Sequence, residues 1–149
     1  MNERIITIRH DKKKIQYHTR SSAQTRAVAK NLVKSLRGGS VVALSGELGA
    51  GKTVFAAGIV VGLGIKKIVT SPTFVLMMLY SVPKKNQERF AATQLCHIDT
   101  YRLSQGKELV DIGIEDYLGN KDTITIVEWP DKIQDLLVPQ TVFVHIDSK

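Results

Sequence analysis

Residues 46–53 read G-E-L-G-A-G-K-T and fit the phosphate-cradling pattern G-x-x-x-x-G-K-[ST] at every required position. Gly46, Gly49 and Gly51 allow the positive backbone angles that turn N–H groups inward, and Glu47, Leu48 and Ala50 complete a loop whose amides can hold a polyphosphate. Lys52 brings a point charge for the β and γ phosphates, and the Thr53 hydroxyl is suited to ligate Mg²⁺. A chance match in a chain of this length is on the order of one in a few hundred. The flanks set the loop apart from an ordinary glycine-rich turn. Residues 40–45 (S-V-V-A-L-S) form a short apolar run suited to a buried strand, and residues 53–63 are long and apolar enough for a buried helix. Nucleotide binding is therefore the expectation from which the other residues are read.

Two further positions offer the acids that such a loop needs. Leu95–Asp99 is an apolar run ending in a carboxylate, as required of a strand that delivers an acid beside the loop to hold Mg²⁺ directly or through water. Asp122–Val127 is another strand, followed by Glu128-Trp129-Pro130, where the second acid can bind metal or orient a water. Trp129 can stack on a base, pack on the nucleotide, or simply close the rim of the core. His97 shares a strand face with Asp99 and reads as a packing residue. In the turn Thr70-Ser71-Pro72-Thr73, Ser71 or Thr73 can sense a γ-phosphate or complete the Mg²⁺ shell, though an ordinary turn looks the same. Arg102 can reach phosphate or serve as a surface ion-pair donor.

The elements that position these residues follow from patterning. Ile5–Ile8 and Ile15–Tyr17 flank the charged tip 10–14 and form an edge hairpin. Ser21 or Ser22 caps a helix running to about Leu36, with Gly38-Gly39 as its stop. Thr25 in its first turn can lie near a base but reads more simply as a helix-start threonine. In the loop's own helix, Gly58 and Gly62 allow close packing, expected against the sheet. Residues 74–80 read as a strand, 83–93 as a basic loop, 104–110, 114–118 and 131–137 as helices, and 141–146 as a final strand. Ligand groups then fall at the ends of several strands, as in an α/β sheet that binds at its carboxyl edge. The fold class expected is α/β: a three-layer P-loop NTPase-like domain with a central mixed, largely parallel sheet.

Composition bounds the rest. A chain of 149 residues, 43% apolar, fits one domain with a sizeable core. Cys96 is the only cysteine, which excludes an internal disulfide framework and fits a reducing compartment. No apolar stretch reaches membrane-spanning length, so a cytoplasmic protein is expected. The net charge of +7 permits a nucleic-acid partner without requiring one.

Taken together, G-E-L-G-A-G-K-T, V-T-S-P-T-F, H-I-D-T-Y-R-L, E-L-V-D-I-G-I-E-D-Y and V-E-W-P, in this order and spacing, resemble the TsaE (YjeE) family of small bacterial ATPases. The resemblance covers roughly residues 25–130. It implies a domain that works with TsaD and TsaB in making N6-threonylcarbamoyladenosine at position 37 of tRNAs reading codons beginning with A, with tRNA met through the complex. In that scheme the protein binds and hydrolyses ATP to reset the TsaD and TsaB machinery and does not itself transfer the carbamoyl group. Carried over by motif, residues 46–53 would hold the phosphates, Thr53 and Glu128 would hold Mg²⁺, and Asp99 would sit by the nucleotide and its metal. Residues 71–74, with Thr73, would be the nucleotide-sensitive segment, and Trp129 would lie near the nucleotide. Thr100 stands where the family often has an apolar residue, and relatives continue beyond the last strand with a longer basic tail.

Two other classes remain. A small-molecule kinase or GTPase shares the phosphate loop. Asn120-Lys121-Asp122 brushes against a guanine-reading pattern with its aspartate one position early, and a clear preference for GTP would favour that class. A non-enzymatic module would use nucleotide only to shape a partner surface, and its partner function would survive Glu128→Ala.

Overall fold

The computed structural model describes residues 3–47, 49–67, 77–101 and 113–149. Their strands form one seven-stranded sheet: β1 (Arg4–His10), β2 (Lys13–Thr19), β3 (Val41–Ser45), β4 (Met77–Ser81), β5 (Gln94–Asp99), β6 (Thr123–Glu128) and β7 (Val142–Ser148). The spatial order is β2-β1-β7-β3-β6-β5-β4. The central pairs β7–β3, β3–β6 and β6–β5 are parallel, whereas β1 and β4 run against their neighbours. This is the mixed, largely parallel sheet expected of the sequence.

Burial explains the order. Residues 41–44 and all of β6 are buried, the signature of strands covered on both faces. In β7, Val142, Val144 and Ile146 are buried while Phe143 and His145 are exposed, so this end of the sheet is covered on one face only. The outer strand β2 carries Lys13 and Lys14 on an exposed edge, which discourages pairing with another chain.

One face of the sheet packs under α1 (Ser22–Val33) and α2 (Lys52–Gly62), with Val42, Leu44, Ile124, Ile126, Phe55, Ile59 and Leu36 in a shared core. The opposite face is closed by two 3₁₀ segments, 114–116 and 130–136, which place Ile114 and Ile133 against Val41, Ile98 and Val127. Cys96 lies in this second core, where burial pushes its thiol up to about 12.

Helix α1 starts as its sequence predicts: Ser21 Oγ accepts the Gln24 N–H, and the Gln24 side chain accepts the Arg20 N–H. Thr25 is buried and bonded through its hydroxyl to Thr19, so it ties the helix to β2 and does not face a ligand.

Two readings of the chain are corrected and one is refined. Residues 83–93, expected as a loop, contain α3 (Lys84–Phe90). Its charge disguises a helix anchored by the fully buried Phe90, by Asn86 donating to the Leu63 carbonyl, and by Gln87 donating to the Val82 carbonyl. Segments 114–118 and 131–137, expected as helices, contain the 3₁₀ helices 114–116 and 130–136. Gly58 and Gly62 face α1 and not the sheet. A Cβ on Gly58 would stand 2.6 Å from Ala29 Cβ and 2.8 Å from the Arg26 carbonyl oxygen, and one on Gly62 would stand 2.8 Å from Val33.

A side chain at Gly58 therefore has to push two helices apart. Gly58→Leu is expected to cost about 1–3 kcal/mol, as overpacking typically does, despite the better helix propensity of leucine. A thermal melt of the variant reads this directly as a lowered midpoint.

Candidate nucleotide site

The end of β3 feeds a loop whose backbone is that of an anion cradle. Gly46, Gly49 and Gly51 have φ of 139°, 78° and 113°, angles that a side chain would resist. Gly51 caps α2 without any side-chain hydrogen bond, and the first turn of α2 contains no acidic residue. Among the described residues, no side-chain cap and no first-turn acid compensates the positive end of the helix dipole, a condition that favours binding phosphate.

Lys52 opens that helix and is 6% exposed. Its ammonium donates to the carbonyls of Gly46 (2.5 Å) and Glu47 (2.9 Å) and lies 4.0 Å from the centre of the Trp129 ring, a cation–π contact. Burial holds its pKa below the ordinary lysine value, and the carboxylates of Glu128 and Asp99 offset part of that shift. A phosphate entering the loop competes with two neutral carbonyls for a desolvated cation, an exchange that favours the anion.

Parallel pairing brings the acids together. Asp99 and Glu128 are register partners at the ends of β5 and β6, and Leu44, the penultimate residue of β3, is the register partner of Glu128. Both carboxylates lie on the α2 face and are buried at 4% and 2% exposure. Asp99 Oδ1 accepts the Tyr101 N–H at 2.8 Å, and Glu128 Oε2 is bonded to His97 Nε2 at 2.6 Å. Among the described residues no group of three His, Cys, Asp or Glu side chains could cage a metal. Two carboxylates and the exposed Thr53 at the loop mouth are instead the hard, incomplete oxygen set that suits Mg²⁺ shared with a ligand's phosphates.

Trp129 has φ 61°, unusual for a bulky residue. The conformation is held from both sides: its N–H donates to the Leu44 carbonyl at 3.0 Å, and its carbonyl accepts the Thr100 hydroxyl, which also reaches the Glu128 carbonyl at 3.2 Å. Thr100 is fully buried, and its hydroxyl ties β5 to the turn that carries Glu128 and Trp129. The sequence marked Thr100 only as an oddity. Lys132 adds bonds to the carbonyls of Thr100 and Tyr101. Tyr101 and Trp129 meet with ring centres 4.9 Å apart and wall an open cleft of about 560 Å³ whose other sides include Gly46, Glu47 and Asp131.

Trp129, the chain's single tryptophan, therefore senses the Lys52 ammonium directly. Adding ADP should change its emission, and Thr100→Val, which frees the Trp129 carbonyl, should reduce that change by half or more. An unaltered response in Thr100→Val would remove the hydroxyl from the site's support.

Gly46, Glu47, Gly49, Ala50, Gly51, Lys52 and Thr53 thus lie on one loop and helix start, with Asp99, Glu128 and Trp129 beside them. Leu48, Thr73 with the rest of segment 71–74, and Arg102 lie outside the described residues. Sequence reasoning missed Arg4, whose guanidinium donates to the Gly49 carbonyl at 3.2 Å and to Ser148 Oγ at 2.5 Å, bracing the loop from β1.

Comparison with known proteins places these features in a wider set. The family model described as "Threonylcarbamoyl adenosine biosynthesis protein TsaE" matches residues 19–149. Proteins named tRNA threonylcarbamoyladenosine biosynthesis protein TsaE are similar to the chain. The Bacillus subtilis protein is 34% identical over 125 residues, spanning 84% of this chain and 72% of the relative. The Streptomyces coelicolor protein is 41% identical over 113 residues, spanning 74% and 71%. The match to the Haemophilus influenzae protein, 38% identical, spans 72% of this chain and 62% of the relative. The crystal structure of Bacillus subtilis YdiB superposes with a TM-score of 0.68 at 26% identity, covering 99% of this chain and 78% of that one.

Proposed function

This chain belongs to the TsaE family of threonylcarbamoyladenosine biosynthesis proteins, and from that premise we propose that it is a Mg²⁺-dependent ATPase serving this tRNA modification. It binds and hydrolyses ATP in the cytoplasm, together with TsaD and TsaB, and does not itself transfer the carbamoyl group. It meets tRNA through that complex. The observation that carries the reading is the uncapped start of α2 inside a loop of positive-φ glycines, with the buried Lys52 between that loop and two carboxylates.

The proposed chemistry follows from those groups. The loop amides and Lys52 hold the β and γ phosphates and balance the charge that develops as the γ-phosphate leaves. Thr53 and Glu128 would hold Mg²⁺, with Asp99 beside it directly or through water, and the ion would supply further charge neutralisation to the phosphates. Glu128 would also orient the attacking water. Trp129 lies against the Lys52 ammonium and helps to keep bulk water from it.

The test is to deplete the protein from its host and measure threonylcarbamoyladenosine in digested tRNA by mass spectrometry. The modification should fall and return with the wild-type chain but not with Lys52→Ala. Full recovery with Lys52→Ala would remove nucleotide binding from the function.

A further inference from the structure

His97 reads in the sequence as a packing residue on β5, yet its surroundings are wrong for that role. The ring is fully buried, Nε2 lies 2.6 Å from Glu128 Oε2, and Nδ1 is buried without a hydrogen-bond partner among the described residues. A histidine chosen for packing alone would satisfy both nitrogens or give way to an apolar side chain, since an unpaired buried polar atom is a net cost. Here one nitrogen is left bare and the other is committed to a single carboxylate oxygen. An ionised carboxylate only accepts, so against it Nε2 carries the hydrogen and donates it.

The bond has a geometric consequence. His97 sits opposite Ile126 in the β5–β6 register, one pleat before the Asp99–Glu128 pair, so its ring reaches diagonally along the α2 face to the Glu128 side chain. The Glu128 backbone carbonyl is held by Thr100, and among the described residues His97 is the hydrogen-bond partner of the Glu128 carboxylate. With Oε2 engaged by His97, Oε1 is the carboxylate oxygen left for a further ligand. Orientation of a metal-binding carboxylate by a buried donor is a recognised way to tune an ion site.

We propose that His97 is the positioning residue of this site: by donating from Nε2 to Glu128 Oε2 it holds the other carboxylate oxygen in the direction from which a nucleotide-bound Mg²⁺ is received. The inference rests on the reading of the site as a Mg²⁺–nucleotide site and adds to it a residue outside the loop and acid set.

The test is calorimetric titration of ADP into the purified chain with and without Mg²⁺, together with the Mg²⁺ concentration giving half the gain in affinity. In His97→Leu, ADP affinity without Mg²⁺ should match wild type while the half-effect Mg²⁺ concentration rises about 10-fold or more, in line with lost support of a metal ligand. His97→Gln places an amide N–H near the Nε2 position and should stay within about 3-fold of wild type. His97→Asn, whose amide ends near the Nδ1 position, should behave as leucine does. If His97→Leu does not fold, the Gln and Asn pair, equal in polarity, makes the same distinction. Equal Mg²⁺ requirements in wild type, Asn and Gln variants would overturn the proposal and leave the nucleotide site standing. If wild type itself gains no ADP affinity from Mg²⁺, the site reading fails and the proposal falls with it.

Discussion

Lys52→Ala is expected to weaken ATP binding at least 10-fold and to lower hydrolysis by about 10²–10³-fold, the range seen when one donor to developing charge is removed. The argument starts from burial. Lys52 is desolvated, with its pKa depressed for that reason, so the protein spends stability to keep a cation there. Its contacts are two neutral loop carbonyls and an indole face, and the Glu128 and Asp99 carboxylates offset only part of the burial cost. A bound phosphate supplies further compensation. Two controls follow. Lys52→Met keeps an unbranched side chain beside Trp129 and should lose binding with little change in thermal midpoint, because relief of the burial cost is offset by the charge support withdrawn from Glu128 and Asp99. The depressed pKa also means that the charged form is present only below a value lower than that of free lysine, so ATP affinity should fade on the alkaline side earlier than for an exposed lysine. Calorimetry and phosphate release read both effects, and unchanged affinity and turnover in Lys52→Ala would contradict the role of the loop.

Glu128→Gln should leave ADP affinity without Mg²⁺ intact, abolish the gain that Mg²⁺ gives, and reduce hydrolysis by about 10²–10³-fold. Gln is preferred to Ala as the cleaner change. Glu128 is 2% exposed and bonded to the buried His97, so Ala would leave that ring with neither nitrogen paired, at about 1–3 kcal/mol of stability. The Gln amide oxygen still accepts from Nε2 and removes only the charge. If Glu128→Gln supported tRNA modification fully with no turnover, the chain would be a nucleotide-shaped docking module and not an ATPase in function.

The phosphate loop was legible because its residues act through backbone geometry that glycine letters announce: the three glycines read as needing positive angles have them. The central strands were legible as short runs rich in apolar and β-branched residues, and the acids at their ends followed. What the sequence concealed depends on neighbours distant in the chain. Gly58 and Gly62 declare that something comes close, but only the fold says that it is α1. Helix α3 looks like a solvated basic loop until Phe90 and Asn86 are seen to be anchored. Thr100 and His97 are ordinary letters whose meaning comes from partners 28 to 31 residues away, the backbone carbonyls of the Glu128–Trp129 turn and the Glu128 carboxylate. Such pairings arise from parallel strand register, which no local pattern encodes.

The measurement that bears most directly on the proposed role is Mg²⁺-dependent ATP hydrolysis by the purified chain, alone and with its TsaD and TsaB, with Lys52→Ala as the blank. The expected result is slow turnover alone and clear stimulation by the pair, absent in the blank. Turnover that the pair leaves unchanged, or that the blank shares, would contradict a partner-driven ATPase.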